Sequence, residues 1–376
     1  MSNIHHRVAA ATAFAALQSP CVASMAQEIT VASIQAVTGT AAFSGVSYQN
    51  AIRMAVDDVN AKGGINGAKI NLIERDNASD KGQAINLANQ AVDRDRAVLV
   101  LGPSTTADAV ATAPIFNEKG TPNLTLATSD AVLKAGPWIL KLQQAPAAIS
   151  PMVAKYVLEK TPIRKVAFVV DRTNEALIEY KDTFRDALKA GGGTVVADEA
   201  VVSSDANFLP LATKLKAADL DAVYLATYTE QAGNIIQQLR QAGISDKVRF
   251  IGPITLASAK FVAIAGKAGE GTITAADYVA GADRPMNKAF EAEYRKRFGA
   301  APDGWAATGY TMAQVAIATL QAAGPNPTRE KVRDAYLQLK DVPIVGGTGL
   351  WNQTDRKPHY GAVVQIVQDG KLVAAP

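Results

Sequence analysis

The sequence has few of the side chains that metal sites and many catalytic sites require. It contains one cysteine, Cys21, and three histidines in 376 residues. A single thiol forms no disulfide within the chain, and His5 and His6 lie near its start. His359 therefore stands alone and offers neither a metal pair nor a convincing catalytic base. We expect no metal and no cofactor.

Sequence signatures of common enzymes and of polyanion binders are also missing. There is no Gly-x-Ser-x-Gly elbow and no phosphate-binding Gly-x4-Gly-Lys-(Ser/Thr) loop, and the glycine cluster at 266–271 has the wrong spacing for a dinucleotide site. The 38 basic and 35 acidic residues are interspersed, so the net charge of +3 forms no basic block. These absences argue against an enzyme and against nucleic acid as a partner.

The first 26 residues have the three-part pattern of a secretory leader. A short basic region ends at Arg7, an apolar stretch runs over 8–17, and Ser24-Met25-Ala26 forms a small-x-small cleavage site. The apolar stretch is too short to span a bilayer, which takes roughly 20 residues. We predict a cleaved signal peptide at 1–26 and a periplasmic, freely diffusing protein. The alternative is a frayed cytosolic N-terminus.

Buried strands alternate with amphipathic helices along the rest of the chain. Ser44 is expected to cap the first helix, which Gly63 and Gly64 end. Predicted strands lie at 29–34, 69–74, 97–101, 122–126, 166–170, 194–201, 222–226, 248–251 and 363–367. The first predicted helix ends at about 61. Further helices are predicted at 83–94, 107–118, 151–159, 180–190, 209–217 and 232–242. This order predicts an α/β fold of two doubly wound parallel-sheet lobes joined by a hinge, with ligand bound in the cleft.

Several motifs, taken in order, resemble one family. They are Ser44-Gly45, the run Asn60-Ala61-Lys62-Gly63-Gly64-Ile65-Asn66-Gly67, Gly102-Pro103, Thr121-Pro122-Asn123 and Phe250-Ile251-Gly252-Pro253. The chain resembles the type I periplasmic binding proteins, specifically the leucine/isoleucine/valine-binding branch that feeds ABC importers. The resemblance implies a monomeric receptor, not an enzyme, that docks on a membrane permease. It also implies a first lobe of 27–145 plus 276–348 and a second lobe of 146–275 plus 349–376.

The resemblance implies that the first lobe holds a ligand carboxylate through hydroxyls and backbone amides. The matching positions are Thr105, Thr106, Leu126, Ala127 and Thr128. Hydroxyls and amides at a helix N-terminus stabilise an anion without a buried cation. The alternative is that the hydroxyls merely cap the following helix, and both roles can coexist.

The resemblance further implies an aromatic lid from the second lobe. Tyr228 falls where one lid aromatic is expected, whereas Asn174 or Glu175 replaces the other. Tyr278 would lie at a crossing between the lobes, with simple packing as its alternative role. The first helix would contribute Phe43 and Ser44.

Position 254 departs from the family pattern. Amino-acid-binding relatives place a carboxylate after the Gly-Pro pair to hold the ligand ammonium, and this chain has Ile254. An aliphatic side chain cannot satisfy a desolvated ammonium. The sequence therefore favours a carboxylate without an α-amine, such as an aromatic or branched oxo or hydroxy acid. Glu175, Glu230 or Asp277 could replace the missing carboxylate, so branched-chain or other amino acids remain alternative ligands. A ligand-sensing receptor is a further alternative function.

Overall fold

Residues 28–376 are described in a computed structural model, and the predicted signal peptide lies outside them. The strands are β1 Glu28–Gln35, β2 Lys69–Asp76, β3 Leu99–Leu101, β4 Asn123–Thr125, β5 Ile139–Lys141, β6 Lys165–Asp171, β7 Thr194–Val201, β8 Ala222–Ala226, β9 Arg249–Ile251, β10 Ile273–Ala276, β11 Val342–Pro343, β12 Leu350–Thr354, β13 Lys357–His359, β14 Val363–Gln368 and β15 Lys371–Ala374. The α-helices are α1 Ala42–Ala61, α2 Lys81–Asn89, α3 Thr106–Glu118, α4 Pro146–Lys160, α5 Glu175–Ala190, α6 Leu209–Lys216, α7 Thr229–Gln241, α8 Ala259–Ala265, α9 Pro285–Phe298, α10 Gly304–Ala322 and α11 Arg329–Gln338.

The first lobe is built on a five-stranded parallel sheet in the order β2-β1-β3-β4-β5. The inner strands β1, β3 and β4 and the edge strand β5 are buried along most of their length because helices cover both faces, whereas the edge strand β2 is only partly buried. Gly45 allows α1 to pack closely after β1, since a Cβ at this position would lie 1.9 Å from the carbonyl oxygen of Ala36. The glycine of the Ser44-Gly45 motif is thus a requirement of close packing.

The second lobe is built on a seven-stranded sheet in the order β15-β14-β10-β9-β8-β6-β7. The five strands from β6 to β10 run parallel, and β14 and β15 add an antiparallel edge. Separate apolar clusters fill the two faces of this sheet. The predicted α/β fold with two parallel-sheet lobes is confirmed.

The C-terminal boundary differs from the prediction. Residues after 348 were assigned to the second lobe, but Trp351 is fully buried in the apolar cluster of the first lobe. Its indole N–H donates to the carbonyl of Leu142 at 3.2 Å, and β11, β12 and β13 form a small antiparallel sheet. The large aromatic fits the first lobe's core, so the chain returns to the second lobe only near β14.

Three chain segments pass between the lobes, and hydrogen bonds join them side by side. Gln144 donates to the carbonyl of Gly361 at 3.1 Å and accepts from the backbone N–H of Tyr360 at 3.5 Å. The hydroxyl of Tyr360 donates to Asp277 Oδ2 at 2.8 Å. These residues connect the segments that follow β5, β10 and β13.

Two local predictions were wrong. Ser44 does not cap α1, which begins two residues earlier, and its hydroxyl instead donates to the carbonyl of Ala41 at 3.0 Å within the first turn. The helix predicted from position 180 begins at Glu175, because Asn174 accepts from the N–H of Ala176 at 2.9 Å and caps it.

Candidate functional site

A cavity opens where the carboxyl ends of strands from both sheets face each other. The strands β1, β3, β6 and β8 are followed there by α1, α3, α5 and α7, and α10 joins them. The space measures about 560 Å³, counting its opening to solvent. It is lined by Ala41, Phe43, Ser44, Tyr48, Ser104, Thr105, Thr106, Leu126, Thr128, Gln143, Asn174, Ala176, Leu177, Tyr180, Tyr228, Ile254, Thr255 and Trp305.

The first-lobe wall of the cavity is a group of hydroxyls that are already hydrogen-bonded. Thr106 Oγ1 accepts from the backbone N–H of Thr128 at 3.2 Å. Thr105 Oγ1 caps α3 by accepting from the N–H of Asp108 at 3.1 Å, so capping and a place in the cavity do coexist. Ser104 accepts from the N–H of Ala36 at 2.7 Å. The wall is therefore fixed in position without a ligand.

A buried lysine supports this wall from behind. The ammonium of Lys141, whose side chain is fully buried, donates to the carbonyl of Thr128 at 2.6 Å and to Asp130 at 2.5 Å. Burial lowers the pKa of Lys141, and Asp130 opposes that shift. Burial alone would raise the pKa of Asp130, but hydrogen bonds from Lys141 and Lys357 hold it below its ordinary value. The ion pair thus anchors the loop that carries Thr128.

The second-lobe wall combines an amide–phenol pair with apolar surface. Asn174 donates to the hydroxyl of Tyr228 at 2.7 Å while its carbonyl caps α5. Burial raises the pKa of Tyr228, so this phenol stays neutral at physiological pH. Ile254 begins a short 3-10 turn and contributes an aliphatic side chain.

An aromatic group that sequence reasoning missed completes the cavity. The ring of Trp305, at the start of α10, packs edge-on against Phe43 at 5.9 Å and against Tyr48 at 5.8 Å between ring centroids. Tyr180 lies two turns along α5 from its cap, on the face that meets the cavity. Tyr180 follows Ala176 by four residues and Leu177 by three, so the three side chains share one face of α5, and all three line the cavity.

No side chain that lines the cavity carries a charge. Five helix N-termini approach it instead, and their partial positive charges favour an anion. Glu175 is exposed, and Glu230 is exposed and paired with Lys260, so neither reaches the cavity.

Asp277 lines an adjoining cavity that shares Ile254 and Trp305 with the main one. Burial raises the pKa of Asp277, opposed by the hydrogen bond from Tyr360.

Family and structural relatives agree with this geometry. The family model for periplasmic binding proteins matches residues 28–371. The Leu/Ile/Val-binding protein of Escherichia coli K12 is 30% identical over 353 residues, which is 90% of this chain and 92% of that protein. The chain belongs to the Leu/Ile/Val-binding branch of the periplasmic binding proteins. This family comprises ABC-transporter substrate-binding proteins, which bind small molecules and work with membrane permeases, and not enzymes.

Solved structures of this fold contain different ligands. The branched-chain amino acid binding protein LivJ from Streptococcus pneumoniae, in complex with isoleucine, is 25% identical, with a TM-score of 0.85 and coverage of 93% of this chain and 98% of that one. A solute-binding protein from Rhodopseudomonas palustris BisB5, in complex with 3,4-dihydroxybenzoic acid, is 24% identical, with a TM-score of 0.83 and coverage of 92% and 95%. The fold itself accommodates both ligand classes.

Nine of the twelve predicted site residues line the cavity of this periplasmic binding protein, namely Phe43, Ser44, Thr105, Thr106, Leu126, Thr128, Asn174, Tyr228 and Ile254. Three do not. Glu175 points to solvent, and Ala127 is buried in the apolar cluster beneath the wall. Tyr278 packs against Phe290 and donates to Glu291 at 2.8 Å, so its place is in packing between α1 and α9. Ligand contact by the nine stays a prediction.

Within residues 28–376, no group of three or more His, Cys, Asp or Glu side chains is placed to hold a metal ion. None of the helices in that range is both long and apolar enough to cross a membrane.

Proposed function

We propose that this protein is the periplasmic substrate-binding component of an ABC importer of the branched-chain amino acid type, and that it captures a small carboxylate without an α-amine. Aromatic and branched oxo or hydroxy acids are the favoured class. The proposal includes a signal peptide at 1–26 and a monomeric protein. The first lobe would comprise 27–145 and 276 to about 362, and the second lobe would comprise 146–275 and the remaining C-terminal residues.

One observation carries the choice of ligand. The cavity has hydroxyls and helix N-termini that suit a carboxylate, and no lining carboxylate that would neutralise an ammonium. A buried unpaired charge is costly, so an amino acid would lose affinity in this cavity relative to its amine-free analogue. Phe43, Tyr228 and Ile254 supply apolar surface for the body of the acid.

Matched ligands test this proposal. Isothermal titration of ligand-stripped protein would compare 4-methyl-2-oxopentanoate with leucine and phenylpyruvate with phenylalanine, since the members of each pair differ at the α-position. We expect the oxo acids to bind at least about tenfold more tightly, which corresponds to about 1.4 kcal/mol. Tighter binding of both amino acids would overturn the amine-free assignment while leaving the transport role intact.

An Ile254→Glu variant makes the test sharper. A carboxylate at this position should pair with an ammonium and repel an oxo acid, so the preference should move towards leucine by about tenfold or more. Leu209→Glu is a suitable control because Leu209 is an exposed apolar residue of the same lobe, remote from the cavity. An unchanged preference in Ile254→Glu would contradict the assigned role of position 254.

A second candidate ligand class is the branched-chain amino acids. Asp277 favours it, because this carboxylate lies in the cavity that adjoins Ile254 and Trp305. In that case leucine would bind the wild type, and Asp277→Asn would remove most of the affinity. Leucine binding that survives Asp277→Asn would exclude Asp277 as the ammonium partner.

A further inference from the structure

Two polar atoms in the cavity wall have no hydrogen-bond partner. They are the hydroxyl of Tyr180 and the indole N–H of Trp305, and both atoms are buried. Only 2% of Tyr180 is exposed to solvent. Buried polar atoms normally form hydrogen bonds. Two buried polar atoms without a partner in a ligand cavity therefore indicate that the ligand provides the partner.

Tyr180 differs in this respect from three other tyrosines near the cavity and the crossings. Tyr228 accepts from Asn174, Tyr360 donates to Asp277, and Tyr278 donates to Glu291. Within residues 28–376, Tyr180 has the only tyrosine hydroxyl that is buried without a partner. Its backbone carbonyl, by contrast, accepts from the hydroxyl of Tyr224 at 3.3 Å, so the residue is held firmly in place.

Tyr180, Trp305 and Tyr48 line the same cavity. Tyr48 packs edge-on against Trp305 at 5.8 Å. Burial raises the pKa of Tyr48, and the nearby Asp277, Asp303 and Tyr180 add to that shift. The main cavity borders the adjoining one through Trp305 and Ile254.

We propose that Tyr180 and Trp305 hydrogen-bond an oxygen substituent on the body of the ligand, so that the protein prefers hydroxylated aromatic carboxylates to the unsubstituted acids. The inference rests on the proposed function, which assigns the carboxylate to the first-lobe wall. The indole N–H only donates, so the ligand atom must accept, and a ring hydroxyl oxygen accepts while remaining neutral. A site built around such a bond discriminates against the analogue that lacks it.

Two matched ligand pairs test the inference by titration calorimetry. They are benzoate with 4-hydroxybenzoate and phenylpyruvate with 4-hydroxyphenylpyruvate. We expect the wild type to bind at least one hydroxylated acid about tenfold more tightly than its partner, as one well-placed hydrogen bond allows. Tyr180→Phe should bring that ratio close to one, and Trp305→Phe should lower it.

The ratio of affinities separates recognition from general damage to the cavity. Tyr294→Phe is the control, because this tyrosine is buried in the first-lobe cluster around Phe290 and should leave the ratio unchanged. A wild-type ratio of one or less, or a ratio that survives Tyr180→Phe in a folded variant, overturns this inference alone. Failure of all four acids to bind overturns the aromatic ligand class, and this inference with it.

Discussion

The two walls of the cavity differ in how their polar groups are satisfied. On the first-lobe wall, Thr106 accepts from the N–H of Thr128, Thr105 accepts from the N–H of Asp108, and buried Lys141 donates to the carbonyl of Thr128. On the second-lobe side, apolar surface surrounds one amide–phenol pair, and Tyr180 has an unpaired hydroxyl. In the function that we propose, the first wall binds the carboxylate of the ligand and the second wall contacts the rest of the ligand.

Loss of Lys141 should have the largest effect on this comparison. Lys141→Met would leave the carbonyl of Thr128 and the carboxylate of Asp130 without their buried donor. We expect a loss of about 3 kcal/mol in the free energy of unfolding, measured by urea denaturation, since breaking a buried pair is strongly destabilising. Lys357→Met is the control, because Lys357 pairs with the same carboxylate at 2.9 Å but is 53% exposed, and its loss should cost well under 1 kcal/mol. Equal losses in the two variants would contradict the supporting role.

Removal of one hydroxyl should weaken the first wall without unfolding it. Thr106→Val keeps the shape of the side chain but removes the acceptor for the N–H of Thr128. We expect ligand affinity to fall by about 10- to 100-fold in calorimetry, because hydrogen bonds to a charged group are strong. Thr112→Val is a matched control on the same helix, since Thr112 is buried and bonds only to helix carbonyls. Similar affinities for both variants would place the carboxylate elsewhere.

The smallest effect concerns Asp277, a half-buried carboxylate that, unlike Lys141, forms no ion pair within residues 28–376. Asp277 is bonded to Tyr360, and Tyr48 and Tyr180 are its other titratable neighbours. Because burial raises its pKa, its contribution to stability is greatest below the ordinary value of about 3.9 and is lost as the pH rises through the raised value.

The Asp277→Asn variant should therefore gain stability relative to wild type as the pH rises from 3.5 to 7. Thermal unfolding at a series of pH values measures the difference. Asp246→Asn, at a fully exposed position, should show no such trend. A difference for Asp277→Asn that is constant with pH would contradict the assigned burial of its charge.

The sequence predicted those elements whose pattern is local. The strand at 222–226 has the predicted bounds, because a continuous apolar run between polar turns is typical of a buried parallel strand. The strand at 194–201 also has its predicted bounds, although it lies at the edge of the sheet and is mostly not buried. The helix α10, at Gly304–Ala322, was not predicted. It is apolar on most sides, since it is buried against α1, so it lacks the periodicity of a surface helix.

The cavity was predictable where the site residues directly follow strands. Thr105 and Thr128 were predicted from the family resemblance, and both lie just after strands whose carboxyl ends meet at one edge of a parallel sheet. Trp305 was missed because it starts a helix from a distant part of the chain, which only the return crossing brings beside Phe43. Glu175 was misplaced because helix α5 begins at that residue and turns its side chain to solvent.

The hydrogen bonds of Gln144 to Tyr360 and Gly361 have a mechanical consequence. Three separate tethers would let the lobes twist, slide and bend independently. Because Gln144, Tyr360 and Asp277 join the three segments by hydrogen bonds, we expect the easiest motion between the lobes to be a rotation about the line through these residues. A ligand bound between the lobes would therefore fix mainly one quantity, the angle between the two lobes.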